Sequence, residues 1–153
     1  LLAVTCSGGY SYNSLSGVND TIFGQVQLWN TKSMSIIDTL QFDWNSSPWH
    51  LVHSNIDREL YVTLAGDNLY PNSAGLACIT YENNNLSLKW QEKSESYEIL
   101  HGIDISIKYD KIYVSGRGDG NLHIINKNNG SLIRSISLGI GAFAGGIKAI
   151  SLE

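Results

Sequence analysis

Leu60-Tyr61-Val62-Thr63-Leu64-Ala65-Gly66 recurs as Ile112-Tyr113-Val114-Ser115-Gly116 and, more weakly, as Leu2-Ala3-Val4-Thr5-Cys6-Ser7-Gly8. Each copy is a short β-branched or aromatic run closed by glycine, the pattern of a strand meeting a turn. Each is followed by a glycine and an alternating run: Gly24-Gln25-Val26-Gln27-Leu28-Trp29-Asn30, Gly75-Leu76-Ala77-Cys78-Ile79-Thr80 and Gly120-Asn121-Leu122-His123-Ile124-Ile125-Asn126. Polar turns rich in Asn, Ser and Lys then lead to a further apolar run over Met34 to Phe42, Leu86 to Gln91 and Leu132 to Leu138. Asn, Gly and Ser tolerate the backbone of tight hairpins, so each turn joins antiparallel neighbours. Upstream of Tyr61 and Tyr113 the chain supplies one more run each, Trp49 to Ser54 and Gly102 to Ser106. The unit is therefore four antiparallel strands in succession.

The composition agrees. Of 153 residues 42% are hydrophobic and only 16% charged, with Gly frequent and Pro and Met nearly absent; charged residues make up about 25% of a typical soluble domain. Neutral polar residues fill the difference, as many short strands and turns require. The formal net charge of -4 and the scattered basic residues argue against nucleic-acid binding, which needs clustered Lys and Arg. No apolar run reaches the length of a membrane-spanning helix, about 18 residues. Cys6 and Cys78 lie in separate strand-like runs, too few and too far apart for a disulfide framework or a paired-cysteine metal site.

The unit recurs at about 50 residues, slightly above the roughly 40 to 45 of common β-propeller blades. The excess lies between second and third strands: Gly8 to Phe23, Asp67 to Ala74, and merely Arg117-Gly118-Asp119 in the last copy. Insertions that recur at one point of a repeat mark one face, often the binding face. The Arg117-Gly118-Asp119 run spells an adhesion tripeptide but also suits a tight turn.

Through Tyr61-Val62-Thr63 and Tyr113-Val114-Ser115 the chain resembles the YVTN-type propeller repeats of bacterial and archaeal surface proteins. Through Val26-Gln27-Leu28-Trp29-Asn30 it is similar to WD repeats, with Asn at the usual Asp position. These resemblances imply an all-β fold of about three four-stranded propeller blades, over residues 1–42, 48–91 and 101–138. Gly146 to Leu152 reads as the first strand of a further or shared blade. An arc that small leaves apolar faces bare at its ends, so part of a larger ring is expected, closed by remaining blades or by a second copy. Low charge and the YVTN-like strands lean towards the cell surface or exterior, whereas WD-like features are equally at home in the cytosol.

In a propeller the inter-blade connections and the loops between second and third strands share one rim, which would gather Tyr10, Tyr12, Trp44, Trp49, His50, Tyr70, Tyr97 and His101. Exposed aromatic residues with few charges anchor protein or sugar partners; Trp44 and Trp49 alternatively pack between blades. The leading expectation is a non-enzymatic binding or scaffold module for a protein or glycan. A second is a hydrolase resembling the lactonases with YVTN-like propellers, using His50, His101, Asp104 and Arg117 near a central channel. A third is a set of purely structural blades within a larger assembly. His50, His53, His101 and His123 lack the spacing of a metal site. The Asn128-Asn129-Gly130 turn is similar to that of quinone-binding propeller repeats, but Arg134 stands where their Trp belongs, so neither metal nor cofactor is expected.

Overall fold

Alternating β-branched and aromatic residues suit a pleated surface buried on both sides, and the six residues of β7 (Glu59–Leu64) are all buried. In this computed structural model, which describes residues 1–67, 69–139 and 141–150, the chain is all-β, with no α-helix among the described residues. Four antiparallel sheets account for the strands. The first orders β1 (Leu2–Cys6), β4 (Gln25–Asn30) and β5 (Ser35–Gln41). The second runs β6 (Pro48–Ser54), β7, β8 (Gly75–Glu82) and β9 (Asn85–Lys93). The third runs β10 (Leu100–Ser106), β11 (Lys111–Gly116), β12 (Asn121–Asn126) and β13 (Leu132–Ser137). A fourth, of two strands, pairs β2 (Gly9–Asn13) with β3 (Val18–Ile22), so the insertion expected after Gly8 is an ordered hairpin.

The second and third sheets share strand order and irregularities. Pro48 pairs with Leu64 and Leu51 with Val62, with a slip between; Leu100 pairs with Gly116 and Ile103 with Val114, with the same slip. The outer pairs slip at Cys78/Ile79 and Ile124/Ile125, and the first sheet slips between Leu28 and Trp29. A bulge bends a strand and re-aims its side chains, so a bulge at the same place gives each sheet the same curvature.

The sheets pack face to face along two seams. Val26, Leu28 and Phe42 of the first sheet and its flank meet Leu60, Val62, Leu64, Ala77 and Ile79 of the second. Tyr61, Leu76 and Cys78 on the opposite face of the second meet Leu100, Ile103, Ile112, Val114 and Ile125 of the third. The central sheet is thus apolar on both faces. Hydroxyl groups fix how neighbouring sheets align: Thr5 Oγ1 donates to the Trp49 carbonyl (2.7 Å) and Thr63 Oγ1 to the His101 carbonyl (3.0 Å). Ser115, at the corresponding place in β11, accepts from the Gly102 amide (2.8 Å).

At the far end of the second seam the buried Lys127 ammonium donates to Asp57 Oδ2 (2.9 Å), which also accepts from Ser54 Oγ (2.7 Å). Those two hydrogen bonds, Lys127 first, hold the Asp57 carboxyl below its ordinary value. Beside them Glu59 accepts from both Tyr61 Oη and Lys89 Nζ. Burial, then the hydrogen bond to Glu59, raises the Tyr61 phenol far above its usual range, and burial pushes the Cys78 thiol up to about 12. Cys78 is a packing residue with no thiolate at neutral pH.

Gly146 to Leu152, read as a further strand, has residues 151 and 152 outside the described region; residues 146–150 carry no strand and run alongside β10.

Two outcomes follow. Leu76→Ala leaves a cavity between two sheets and lowers the unfolding free energy by about 2 to 5 kcal/mol, whereas Leu88→Ala on the exposed side of β9 costs well under half of that. Urea unfolding at constant m-value measures both, and equal losses would refute the two-faced burial of the central sheet. Because the folded-state Asp57 carboxyl lies below its unfolded value, its contribution is present above the unfolded value, 3.8 in an unperturbed Asp, and is lost as pH falls through the lower folded value. Asp57→Asn should therefore flatten the fall in stability below about pH 4, as read from urea midpoints between about pH 2 and 6.

Candidate binding rim

Strand direction decides which loops meet. Cys6 pairs with Gln25, Leu64 with Gly75, and Gly75 in turn with Lys93, so the segments that leave and enter these strands lie at one end of each sheet. The hydrogen bonds of Thr5 and Thr63 to the edge strands β6 and β10 of the next sheets bring those ends level. The β2–β3 hairpin, the loops over 42–47, 65–67, 69–74, 94–99 and 117–120, and residues 141–145 are all on that side. On the opposite side the described strands are joined by short turns. Asn30, for example, closes one by accepting from the Lys32 and Ser33 amides through its side chain.

The rim residues separate into three places. Tyr10 and Tyr12 are exposed on the β2–β3 hairpin, apart from the rest. Trp44 stands edge-on to Tyr70 with centroids 4.6 Å apart, and Tyr70 lines a cleft of about 680 Å³ at the mouth of the second seam. Tyr97 also lines it but is only 6% exposed, so its ring serves as a wall packed edge-on to His123 at 5.0 Å and does not project as an anchor. Burial above all, then the charges of Glu92 and Asp119, pushes its phenol up to about 12.

Trp49, His50 and His101 form the third place, on the edge strands β6 and β10. The His50 ring is edge-on to His101 at 4.5 Å, and Trp49 lies 5.6 Å from His101. His50 Nδ1 donates to the His101 carbonyl (3.0 Å) and His101 Nδ1 to the Gly145 carbonyl (2.5 Å). A carbonyl only accepts, so both Nδ1 atoms carry protons, and each Nε2 has no hydrogen-bond partner among the described residues.

Of the four hydrolase candidates, His50 and His101 come together, while Asp104 and Arg117 are engaged in other contacts. Burial raises the Asp104 carboxyl, but the Ala149 amide (2.8 Å), the Lys148 ammonium (3.0 Å) and the Ile105 amide outweigh it and hold the group below its ordinary value. That carboxylate serves structure. Arg117 is exposed in the β11–β12 turn, where its amide donates to the Ile99 carbonyl (3.0 Å). Among the described residues no group of three or more His, Cys, Asp or Glu is placed to hold a metal ion.

The cleft is completed by residues that sequence reasoning missed: Asp67, Asn72, Glu95 and Glu98. Their only signal was position, since they flank Tyr70 and Tyr97 in loops already assigned to the rim. Asn72 Nδ2 donates to Glu95 Oε1 (3.1 Å) across the opening. Below it, the Arg117-Gly118-Asp119 run is spent on the turn. Asp119 Oδ2 accepts from His123 Nε2 (2.9 Å) and the Glu98 amide (3.3 Å), and Oδ1 from the Asn121 amide (2.8 Å). Ser135 Oγ meets the other nitrogen of the buried His123 at 2.9 Å. One carboxylate thus fastens the cleft floor to the third sheet.

No protein-family model matches the chain, and none of the curated proteins compared with it matches.

Asp119→Ala strips partners from a buried imidazole and two amides and is expected to cost roughly 1 to 3 kcal/mol in urea unfolding. It should also release the His123 ring signals in NMR spectra from their folded-state shifts. A loss under about 0.5 kcal/mol, the size of an ordinary surface substitution, would remove Asp119 from this role.

Proposed function

We propose that the three larger sheets are blades of a β-propeller arc and that the chain is a non-enzymatic binding module, holding a protein or glycan partner at its loop-rich rim. The blade reading is supported by two sheets of identical strand order, bulged at matching positions and stacked face to face with their loop ends level. The observation that carries the binding reading is the cleft between the 65–74 and 94–99 loops, with Trp44 bracing the half-exposed Tyr70. Its volume of about 680 Å³ is within the roughly 300 to 1,000 Å³ of small-ligand sites. A tyrosine face offers an apolar plane to a sugar ring or a peptide side chain. The carboxylates of Asp67, Glu95 and Glu98 accept hydrogen bonds from sugar hydroxyls or from a basic side chain, with no Lys or Arg among the lining residues to compete.

The experiment is a screen of the folded chain on glycan and peptide arrays, followed by titration of the best binder. Tyr70→Ala and Trp49→Ala are each exposed enough to leave the fold intact, and at least one should weaken the complex about tenfold, or about 1.4 kcal/mol. An array without binders, or binders indifferent to both changes, would sink the rim as the site.

A further inference from the structure

The two histidines of the rim's third place lie where their strands depart from regular pairing. His50 falls inside the slip of β6 between Pro48 and Leu51, and His101 inside that of β10 between Leu100 and Ile103. Bulges re-aim side chains and gather beside functional sites. The pair is not a by-product of the repeat. The His50 amide donates to Thr63 Oγ1 as the Gly102 amide donates to Ser115 Oγ, so His50 corresponds in register to Gly102, and Trp49 to His101. The two imidazoles stand 51 residues apart in sequence and meet only through the packing of the second sheet on the third.

Their hydrogen bonds leave both rings in the form that binds metals. The His101 and Gly145 carbonyls hold the two Nδ1 protons, which places each free lone pair on Nε2. A ligating histidine almost always donates its other N–H to a carbonyl or carboxylate in this way, which fixes the tautomer and raises the ligand's basicity. The spacing also suits one ion. With a metal–nitrogen bond of about 2.0 to 2.1 Å, each ring centroid stands about 3.2 Å from the ion, so two rings at right angles are about 4.5 Å apart and two at the tetrahedral angle about 5.2 Å. The observed separation is 4.5 Å. A depression of about 220 Å³ adjoins the pair, lined by His50, Gly102, Gly145 and Gly146 among others, with no Lys or Arg. A Cβ on Gly145 or Gly146 would meet nothing within 4 Å, so further donors have room there.

We propose that His50 and His101 form a two-imidazole site for a divalent transition-metal ion, ligated through the two Nε2 atoms, with solvent or another donor at the remaining positions. Neutral imidazole suits copper, nickel and zinc, and a right angle between ligands is that of square-planar or octahedral coordination, so Cu2+ and Ni2+ are favoured over Zn2+. Both ligands are uncharged, so the bound ion keeps its full positive charge for whatever fills the open positions. A carboxylate or carbonyl oxygen answers that charge best. The inference rests neither on the blade reading nor on the ligand of the cleft.

Titration of the full chain with copper(II) chloride in a non-coordinating buffer tests it, read by quenching of tryptophan fluorescence, since Trp49 lies 5.6 Å from the His101 ring. One ion should bind per chain with a dissociation constant below about 100 µM. Electron paramagnetic resonance of the unaltered chain should show the ion coupled to two imidazole rings. His50→Ala and His101→Ala should each raise the dissociation constant at least tenfold, with circular dichroism reporting that the all-β fold is kept. His53→Ala, on the same strand as His50 but paired with Tyr81, should leave it unchanged. Quenching that never saturates, coupling to fewer than two imidazole rings, or binding that survives either the His50 or the His101 change overturns the site. Because the ring count is taken on the unaltered chain, a variant that fails to fold does not shield the proposal.

Discussion

The constraint on which the structure depends is that one sheet must be apolar on both faces. In β7 successive side chains point opposite ways, so Leu60, Val62 and Leu64 enter one seam while Tyr61 and Thr63 turn to the other. Neither neighbouring sheet can be removed without exposing half of this strand. At roughly 25 cal/mol per Å² of apolar surface, that exposure outweighs any hydrogen bond in the chain. The hydroxyls of Thr5 and Thr63 contribute less energy but decide alignment, because each reaches one carbonyl on the edge strand of the next sheet. Level sheet ends, and hence a rim, result from that pairing.

The polar groups buried along the second seam follow from the same geometry. Towards the ends of the seam charged and polar groups sit between the sheets in satisfied sets: Lys127 with Asp57, Glu59 with Tyr61 and Lys89, His123 with Asp119 and Ser135. A buried charge stripped of its partner is costly, about 3 to 5 kcal/mol, so these sets favour one packing of the sheets over others. They lie at both ends of the seam, and Asp119 links the one nearest the cleft to the loop that forms its floor.

Much of the strand pattern was legible because it is local. Period-two runs ending in glycine or asparagine placed every strand of the second and third sheets within a few residues, and the repetition of Tyr-Val-Thr as Tyr-Val-Ser aligned β7 with β11. The β2–β3 pairing escaped because its strands are polar on both faces, with Tyr10 and Tyr12 exposed and no core to impose a pattern. In the rim, aromatic residues announced themselves by type. Their exposure did not, since Tyr97 is turned inward by a contact with His123 on another strand. The cleft's carboxylates were invisible for a related reason: Asp67 and Glu98 come together only through the meeting of two loops from different sheets. Asp104 showed the reverse, a chemically suggestive residue whose capacity is taken up by Lys148 and Ala149, far along the chain.

The layering of the sheets, each touching only the next, sets the order in which the molecule comes apart. In a one-dimensional stack, stability is a sum of unit and nearest-neighbour terms, and opening begins where a unit has one neighbour. The amides of β7 and β8, enclosed from both sides, exchange with solvent only on global unfolding; those of β5 and β13, at the periphery, exchange through local fraying. The cleft spans the second and third sheets, so anything that grips both of its walls clamps one of the two joints at which the stack would first separate. A partner held in that cleft would thereby couple its binding to the cohesion of the second seam.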